Sequence, residues 1–419
     1  MSEFVTPNNR QINSGLLFAM FSVWSFVLLC RPQDYLSFLG VLRPGVSLGL
    51  ITMCIYFFSA KKNEKISNNI QFRLYIFLIM VMFIGVPFSY YRSASLKDVF
   101  DYASVITIFF LLFYQIVNTI SKLRRLLFVY SLGVALYCIY ILNYGDFSGE
   151  RIAFGSMFDA NDTAFYIIAF LPFNLLFISK DNKGITRIVA VINIILSLIV
   201  MLKTGSRGGL LALISISFYL LSVKTISVRL SFIKKTALVL VAIMALQFVN
   251  MNSERYKTLL DMKGDYNVTD EEGRLAIWKM GMRMMLSHPL TGVGVNRFNE
   301  GVGYDRERRG VAVVKWQTAH NSLVQIGAET GVLGLILFCM MSLNVFKITR
   351  LTIDKSRSEE LVKIAEIVRV GFIGLFISIM FISQAYSIYW AFYIVLSSVL
   401  KYSFDKESNS DVIDTYSSN

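Results

Sequence analysis

Three motifs in this chain combine charged or titratable side chains with glycines at spacings that suit phosphate binding and proton transfer. The first is Gly205-Ser206-Arg207-Gly208-Gly209. Its glycines expose backbone N–H groups, and a helix that begins here would add the partial positive charge of its N-terminus. The motif therefore predicts an anion site around the arginine. The alternative is an arginine at a membrane surface that reaches lipid headgroups.

The second motif begins with Arg274 near the start of a predicted helix that stops at His288-Pro289, and it extends to Gly294. Apolar residues at helical spacing predict an amphipathic helix, and a capping box at 269–272 predicts its beginning. A charged run on such a helix is typical of a solvated face, which is the alternative to a binding role. The predicted apolar positions are Leu275, Trp278, Met282, Met285 and Leu286.

The third motif is Ala319-His320-Asn321-Ser322, followed by Glu329 and by the pair Gly331 and Gly334. An imidazole has an unperturbed pKa of about 6.5, so the histidine could act as a general base near neutral pH. A structural hydrogen bond is the alternative role for a lone histidine. The glycine pair by itself indicates close helix packing.

The composition indicates that these motifs lie in a membrane protein. The 419 residues are 55% hydrophobic and 16% charged, with a mean hydropathy of +0.57. Soluble domains carry about 25% charged residues, and disordered chains are poor in apolar ones. The net charge of +13 would suggest a nucleic-acid partner only in a soluble chain. We therefore expect an all-α, polytopic integral membrane protein whose surroundings are a lipid bilayer.

Apolar runs predict about twelve transmembrane helices. Most basic residues then fall in alternate connections, and the positive-inside rule makes those connections and both termini cytoplasmic. The predicted spans lie near 14–30, 40–59, 74–91, 100–120, 126–143, 164–178, 188–202, 210–223, 237–249, 332–348, 370–384 and 387–400.

The spans divide the chain into four parts. Residues 1–250 form a membrane bundle with spans 1–9, and residues 319–402 contain spans 10–12. Between them, residues 251–318 form a long, partly helical periplasmic loop that is too long to be a simple connector. The polar tail 403–419 is predicted to be disordered and cytoplasmic.

Dedicated metal or cofactor chemistry is not expected. His288 and His320 are the two histidines of the chain, and their spacing does not suit a metal site. The four cysteines show no paired spacing, and no glycine-rich nucleotide loop of the G-x-x-x-x-G-K-[ST] type is present in the sequence.

The motifs together resemble those of the O-antigen ligase superfamily, the Wzy/ligase-type glycan transferases of bacteria. The most specific match is His320-Asn321, nine residues, and then Gly331-x-x-Gly334, which fits the family pattern H-[NSQ]-x9-G-x-x-G. The resemblance covers roughly residues 14–400 and extends to the twelve predicted spans and the long loop. Other segments similar to family motifs are 151–162, 205–209 and 274–294.

The resemblance implies transfer of a glycan from an undecaprenyl-diphosphate carrier to an acceptor hydroxyl, at the periplasmic face of the bacterial inner membrane. Arg207 and Arg274 would bind the diphosphate, and His320 would take the proton of the acceptor hydroxyl. The reaction would be metal-independent and would invert the anomeric configuration. Supporting roles are expected for Gly205, Ser206, Gly208, Asn321 and Glu329.

Other functions fit the same sequence. A ligase would use a lipid A–core acceptor, and we favour it because of the histidine–glycine motif. A Wzy-like polymerase would instead extend a growing polysaccharide on a second carrier, and an oligosaccharyltransferase would use a protein hydroxyl. A transporter or flippase of polysaccharide is the alternative from another class, but such proteins place ionisable groups near the bilayer midplane. Here the motifs lie at predicted outer boundaries.

Overall fold

The computed structural model describes residues 7–59, 66–148, 151–153, 159–178, 182–222, 273–310 and 316–417. These residues form fourteen α-helices and one two-stranded antiparallel sheet. The helices before the sheet are α1 (Pro7–Cys30), α2 (Ser37–Val41), α3 (Pro44–Ser59), α4 (Ile70–Gly85), α5 (Arg92–Ile116) and α6 (Ile120–Tyr144).

The short sheet pairs β1 (Asp146–Ser148) with β2 (Arg151–Ala153). The helices that follow it are α7 (Ala160–Phe170), α8 (Gly184–Thr204), α9 (Arg207–Ser222), α10 (Arg274–Ser287), α11 (Phe298–Arg308), α12 (Ser322–Lys355), α13 (Glu359–Ile379) and α14 (Ile388–Ser417). A 3-10 segment, Leu171–Leu176, extends α7.

Five helices of the described residues are long and apolar enough to cross a membrane. They are α4 with its 3-10 extension to Phe88, α5, α6, α8 and α12, and apolar parts of α1, α3 and α9 are shorter. This confirms a helical protein of the polytopic membrane type. The count of twelve spans stays a prediction, and its ninth span, 237–249, lies outside the described residues.

The core of the bundle is built around α13 and the first half of α14. Residues 389–400 are buried at every position, so this part of α14 is surrounded by other helices. Trp390 stacks on Phe338 of α12 with ring centroids 4.3 Å apart. The Tyr393 hydroxyl donates a hydrogen bond to the Ala169 carbonyl of α7 at 2.7 Å. These contacts fix α7, α12 and α14 relative to one another.

The helix predicted in the long loop is present, but its buried face differs from the prediction. The helix α10 ends at Ser287, directly before His288-Pro289 as predicted, while the capping box lies outside the described residues. Leu275, Met282 and Leu286 of the predicted apolar face are exposed. Packing against α12 instead buries Ile277, Met280 and Met284. The neighbouring helix therefore selects a face that hydrophobic spacing alone did not identify.

The prediction of a disordered tail was wrong, because α14 continues to Ser417. A polar composition does not prevent a helix whose side chains find partners. The Glu407 carboxylate accepts hydrogen bonds from the backbone N–H groups of Arg357 and Ser358, at 2.8 and 2.9 Å. It thereby holds the turn between α12 and α13, and an ion pair joins Lys401 to Asp405 one helical turn apart.

Candidate functional site

Three arginines from distant parts of the chain line one cavity, which we call the arginine cavity. Arg151 comes from β2, Arg207 is the first residue of α9, and Arg274 is the first residue of α10. The volume is about 60 Å³. A water molecule needs about 10–15 Å³ on this measure, so the cavity has room for a group of a few heavy atoms, such as a phosphate. The sequence prediction paired Arg207 with Arg274, and the structure brings them together here.

Arg207 is placed by the turn between α8 and α9. Gly205 ends α8 in the left-handed region, with φ of +57°, where a side chain would be strained. The buried Ser206 then caps α9, because its Oγ accepts a hydrogen bond from the Gly209 N–H at 3.2 Å. A β-carbon at Gly208 would lie 2.9 Å from Phe381 Cβ, so this position has little room for a side chain. Gly205, Ser206 and Gly208, for which supporting roles were predicted, therefore shape the turn that carries Arg207.

Arg151 is the site residue that the sequence prediction did not include. Its Nε donates to the Thr204 carbonyl at 2.8 Å, and its Nη2 donates to Asn161 Oδ1 at 3.0 Å. The same Asn161 oxygen accepts from Ser206 Oγ at 3.0 Å. Arg151 is thus part of the structure that holds the arginine motif. The signal in the sequence is the 151–162 segment, which resembles a family motif but does not by itself assign a role to Arg151.

Arg274 is connected to the histidine motif through its own helix. Trp278 lies one turn further along α10, and its Nε1 donates to the Ala319 carbonyl at 3.0 Å. Ala319 directly precedes His320. A rotation or shift of α10 would therefore move the peptide next to the histidine. This contact links the helix that carries Arg274 to the segment that carries His320, the candidate base.

His320 adopts a backbone conformation that is rare for a residue with a side chain. Its φ is +47°, and strain of this kind is common at functional sites. The backbone N–H donates to Ser383 Oγ at 2.8 Å, and Nε2 lies 3.1 Å from Thr318 Oγ1. Burial lowers the pKa of the imidazole below its ordinary value, and the charge of Arg274 lowers it further, against an opposing effect of Asp159. These effects favour the neutral ring, which is the form that can accept a proton.

Asn321 and Glu329, the two polar residues predicted to support His320, make structural contacts and do not line the arginine cavity. Asn321 caps α12 through Oδ1, which accepts from the Leu323 and Val324 N–H groups at 2.9 and 3.1 Å. The buried Glu329 accepts from the N–H groups of Asn296 and Phe298 at 2.8 and 3.1 Å. It therefore binds the loop before α11 and the N-terminus of that helix.

The glycines of the histidine motif allow close contact between α12 and the loop that follows α10. Gly331 interrupts α12 with φ of +73°, and a β-carbon there would lie 2.4 Å from the Pro289 carbonyl oxygen. On the other side, a β-carbon at Gly292 would lie 2.2 Å from the Glu329 carbonyl carbon. The glycine pair predicted close packing of a helix against another helix. The helix α12 does pack closely here, but against a loop rather than a helix.

Comparison with known families supports the resemblance that the motifs indicate. Residues 192–339 match the family model described as O-Antigen ligase. The matched range contains the Arg207, Arg274 and His320 motifs. The match covers 148 of the 419 residues, and this part of the chain is similar to the O-antigen ligase superfamily. No curated protein matches the chain.

Together with the apolar helices, this similarity supports an integral membrane enzyme at the level of the ligase and polymerase family, whose substrates are lipid-linked glycans. Across the described ranges, no three histidine, cysteine, aspartate or glutamate side chains cluster as metal ligands would. The polar side chains that line the arginine cavity are cationic, amide and hydroxyl groups.

A second cavity of about 450 Å³ adjoins the arginine cavity, and we call it the acidic cavity. Phe165 lines both, and Asn161 of the first is followed in sequence by Asp162 of the second. The carboxylates of Asp98, Asp101 and Asp162 lie around it, and Asp162 Oδ1 accepts from Gln384 Nε2 at 2.9 Å. Sequence reasoning missed this cavity, because its acidic residues come from helices without a shared motif.

Proposed function

We propose that this protein transfers a glycan from an undecaprenyl-diphosphate carrier to an acceptor hydroxyl, as an O-antigen ligase with a lipid A–core acceptor. The convergence of Arg207 and Arg274 on one phosphate-sized cavity carries the proposal. Guanidinium groups stay charged and bind phosphate oxygens through two parallel hydrogen bonds. Arg151, which lines the same cavity, adds a third cation.

The proposed reaction is a single displacement at the anomeric carbon. The acceptor oxygen attacks that carbon as its proton moves to the neutral imidazole of His320. The bond from the anomeric carbon to the diphosphate oxygen breaks, and its electron pair leaves with the diphosphate. One displacement inverts the configuration of the anomeric carbon.

The arginines supply the electrostatic stabilisation that the leaving diphosphate requires. Negative charge increases on the diphosphate as the C–O bond breaks, and fixed cations beside it lower the barrier. The N-terminus of α9 lies in the same cavity wall and contributes a partial positive charge. We therefore propose a metal-independent reaction, with no cofactor.

We further propose that the site faces the periplasm from the bacterial inner membrane, with twelve spans and both termini in the cytoplasm. The alternation of helix directions supports one common face. Helices α8 and α13 end beside the arginine cavity, while α9 and α12 begin beside it or beside His320. The basic residues of the sequence fall mainly in the connections at the other end.

Reconstitution of the purified protein in liposomes tests this function. The assay offers a carrier-linked glycan with lipid A–core, a second carrier-linked repeat or a protein acceptor, in separate reactions with excess chelator. We expect a product with lipid A–core that persists in chelator and has the inverted linkage by NMR. A product only with the carrier-linked repeat would identify a polymerase. Dependence of turnover on added divalent metal would refute the metal-independent mechanism.

A further inference from the structure

A third cavity, open to the outside of the molecule, lies beyond the acidic cavity. It has a volume of about 540 Å³, and we call it the aromatic cleft. Its aromatic residues are Tyr91, at the start of α5, and Trp316, in the segment that leads to His320. Ala94 and the amide, guanidinium and carboxylate groups at 296–300 form the rest of its lining. Nothing in the mechanism proposed above uses this cleft.

The two aromatic rings are exposed although the structure holds them in place. Trp316 is 49% exposed and Tyr91 is 45% exposed. Tyr304 packs between them, with ring centroids 6.2 Å from Trp316 and 6.5 Å from Tyr91. The Tyr304 hydroxyl donates to the Tyr91 hydroxyl at 3.0 Å. A rigid aromatic surface that remains open to solvent is typical of a binding surface.

The backbone under Trp316 is also shaped for this arrangement. A β-carbon at Gly303 would lie 3.1 Å from the indole ring, so the glycine lets the ring lie close to α11. The next residue, Gln317, accepts a hydrogen bond from Nη2 of the buried Arg306 at 2.6 Å. These contacts fix the position of Trp316 from α11.

The polar side of the cleft is held by ion pairs. Arg297 lies 2.5 Å from an oxygen of Asp98 and 2.6 Å from an oxygen of Glu300, and its side chain is 14% exposed. Asn296 Nδ2 also donates to Asp98 at 3.2 Å. Fixed donors and acceptors next to aromatic rings suit a sugar, because its hydroxyls form hydrogen bonds while its C–H face packs on a ring.

The three cavities lie next to one another in series. Phe165 lines both the arginine cavity and the acidic cavity, and Asn296 lines both the acidic cavity and the aromatic cleft. A glycan whose diphosphate end lies at the arginines would therefore pass the carboxylates of the acidic cavity before it reaches the cleft. Carboxylates accept hydrogen bonds from sugar hydroxyls, so each section of this path has groups that suit a saccharide.

We propose that the aromatic cleft is a distal saccharide subsite, in which Tyr91 and Trp316 bind a sugar unit several residues away from the bond that reacts. This inference rests on the proposed function, because it takes the arginine cavity as the place of the diphosphate. The glycan that occupies the cleft belongs either to the donor or to the acceptor, and the two sources have the same chemistry. Charged groups in the lining make a lipid chain a poor occupant.

The test compares glycans of different length. Donors are the carrier-linked oligosaccharide purified from the source cell and the same carrier trimmed to one sugar, each with a fixed acceptor. A second series varies the acceptor glycan in the same way with the one-sugar donor. The variants are Trp316→Ala and Tyr91→Ala, with Trp316→Phe and Tyr91→Phe retaining an aromatic face. Tyr144→Ala is the control, because Tyr144 is exposed at the end of α6 and does not line the cleft.

We expect the alanine variants to lose about tenfold in kcat/KM for long glycans, from the loss of aromatic contact, and to keep the wild-type value for one-sugar glycans. The phenylalanine variants should recover most of the loss. A loss confined to long donors places the donor glycan in the cleft, and a loss confined to long acceptors places the acceptor there. Equal losses for short and long glycans, or no loss at all, would overturn the proposal.

A binding measurement separates failure of this inference from failure of the proposed function. Titration calorimetry with the oligosaccharide released from its carrier needs no turnover. Weaker binding by Trp316→Ala than by wild type and Tyr144→Ala would support the cleft even if no carrier-linked donor reacted. Equal binding by all three proteins would overturn the cleft even if wild-type transfer were active.

Discussion

Replacement of each cavity arginine by lysine separates bidentate phosphate binding from simple attraction between charges. The variants Arg207→Lys, Arg274→Lys and Arg151→Lys keep a positive charge at each position. A lysine offers one ammonium group and cannot form the two parallel hydrogen bonds of a guanidinium. If the arginines bind diphosphate in this way, lysine should be nearly as damaging as alanine.

The expected loss follows from the energy of one charge-assisted contact in a site shielded from water. Such a contact is worth about 2–4 kcal/mol in the transition state, which corresponds to about 30- to 1000-fold in rate. The guanidinium of Arg151 also bonds to the Thr204 carbonyl and to Asn161. Its replacement should therefore lower thermal stability as well as turnover.

The assay measures kcat/KM in liposomes and thermal unfolding in the same preparation. Arg283→Lys is the matched control, because Arg283 also lies on α10 but is 54% exposed and pairs only weakly with Asp305 at 3.3 Å. Arg297 is unsuitable as a control, since it joins two carboxylates in the aromatic cleft. Full activity of Arg207→Lys and Arg274→Lys would refute the diphosphate site. Both residues would then have the alternative role of contacting lipid headgroups.

Three further predictions concern the base and the topology. His320→Ala should lose about 10²- to 10⁴-fold in turnover but still bind the carrier-linked donor. His288→Ala, at the end of α10, should lose much less turnover. Normal turnover by His320→Ala together with lost turnover by His288→Ala would make His288 the base instead. NMR of protein labelled at its two histidines should give His320 a pKa below 6.5, and kcat/KM should fall on the acid side with that same pKa. Arg274→Gln should raise the pKa of His320, because it removes a nearby positive charge. An unchanged pKa of His320 in this variant would contradict the electrostatic effect of Arg274. Cysteines introduced at Ser253 and Ser408 should react with an impermeant thiol reagent in intact cells only at Ser253. Labelling at Ser408 would show that the proposed topology, with a cytoplasmic C-terminus, is wrong.

The sequence was sufficient to single out Arg207 and Arg274 as candidate site residues, because each occurs in a local motif. Arg207 has glycines on both sides, and Arg274 precedes an aromatic residue and a proline–glycine segment, so both positions could be recognised without a fold. Arg151 lacked such surroundings. Its place in the cavity depends on Asn161, whose amide oxygen accepts from Arg151 and from Ser206. Only the folded bundle brings these residues together.

The acidic cavity and the aromatic cleft could not have been predicted for the same reason. Asp98 lies at the start of α5 and Asn296 precedes α11, and neither position stands out in the sequence. They meet because Glu329 holds the backbone of Asn296 and Arg297 pairs with Asp98. Hydrophobic spacing places helices in a membrane, but it carries little information about which polar helix ends become neighbours.

The contacts also explain why the histidine motif is long although His320 alone has a proposed chemical role. The helix that carries Arg274 is attached to α12 and its leading segment at both ends. Near its start, Trp278 bonds to the peptide before His320, and after its end, the Pro289–Gly292 turn packs against Gly331. The motif residues after the histidine therefore determine where Arg274 stands relative to the base. A phosphate-binding cation and a proton acceptor that must act on the two sides of one anomeric carbon require such a fixed separation, since small displacements are costly in catalysis.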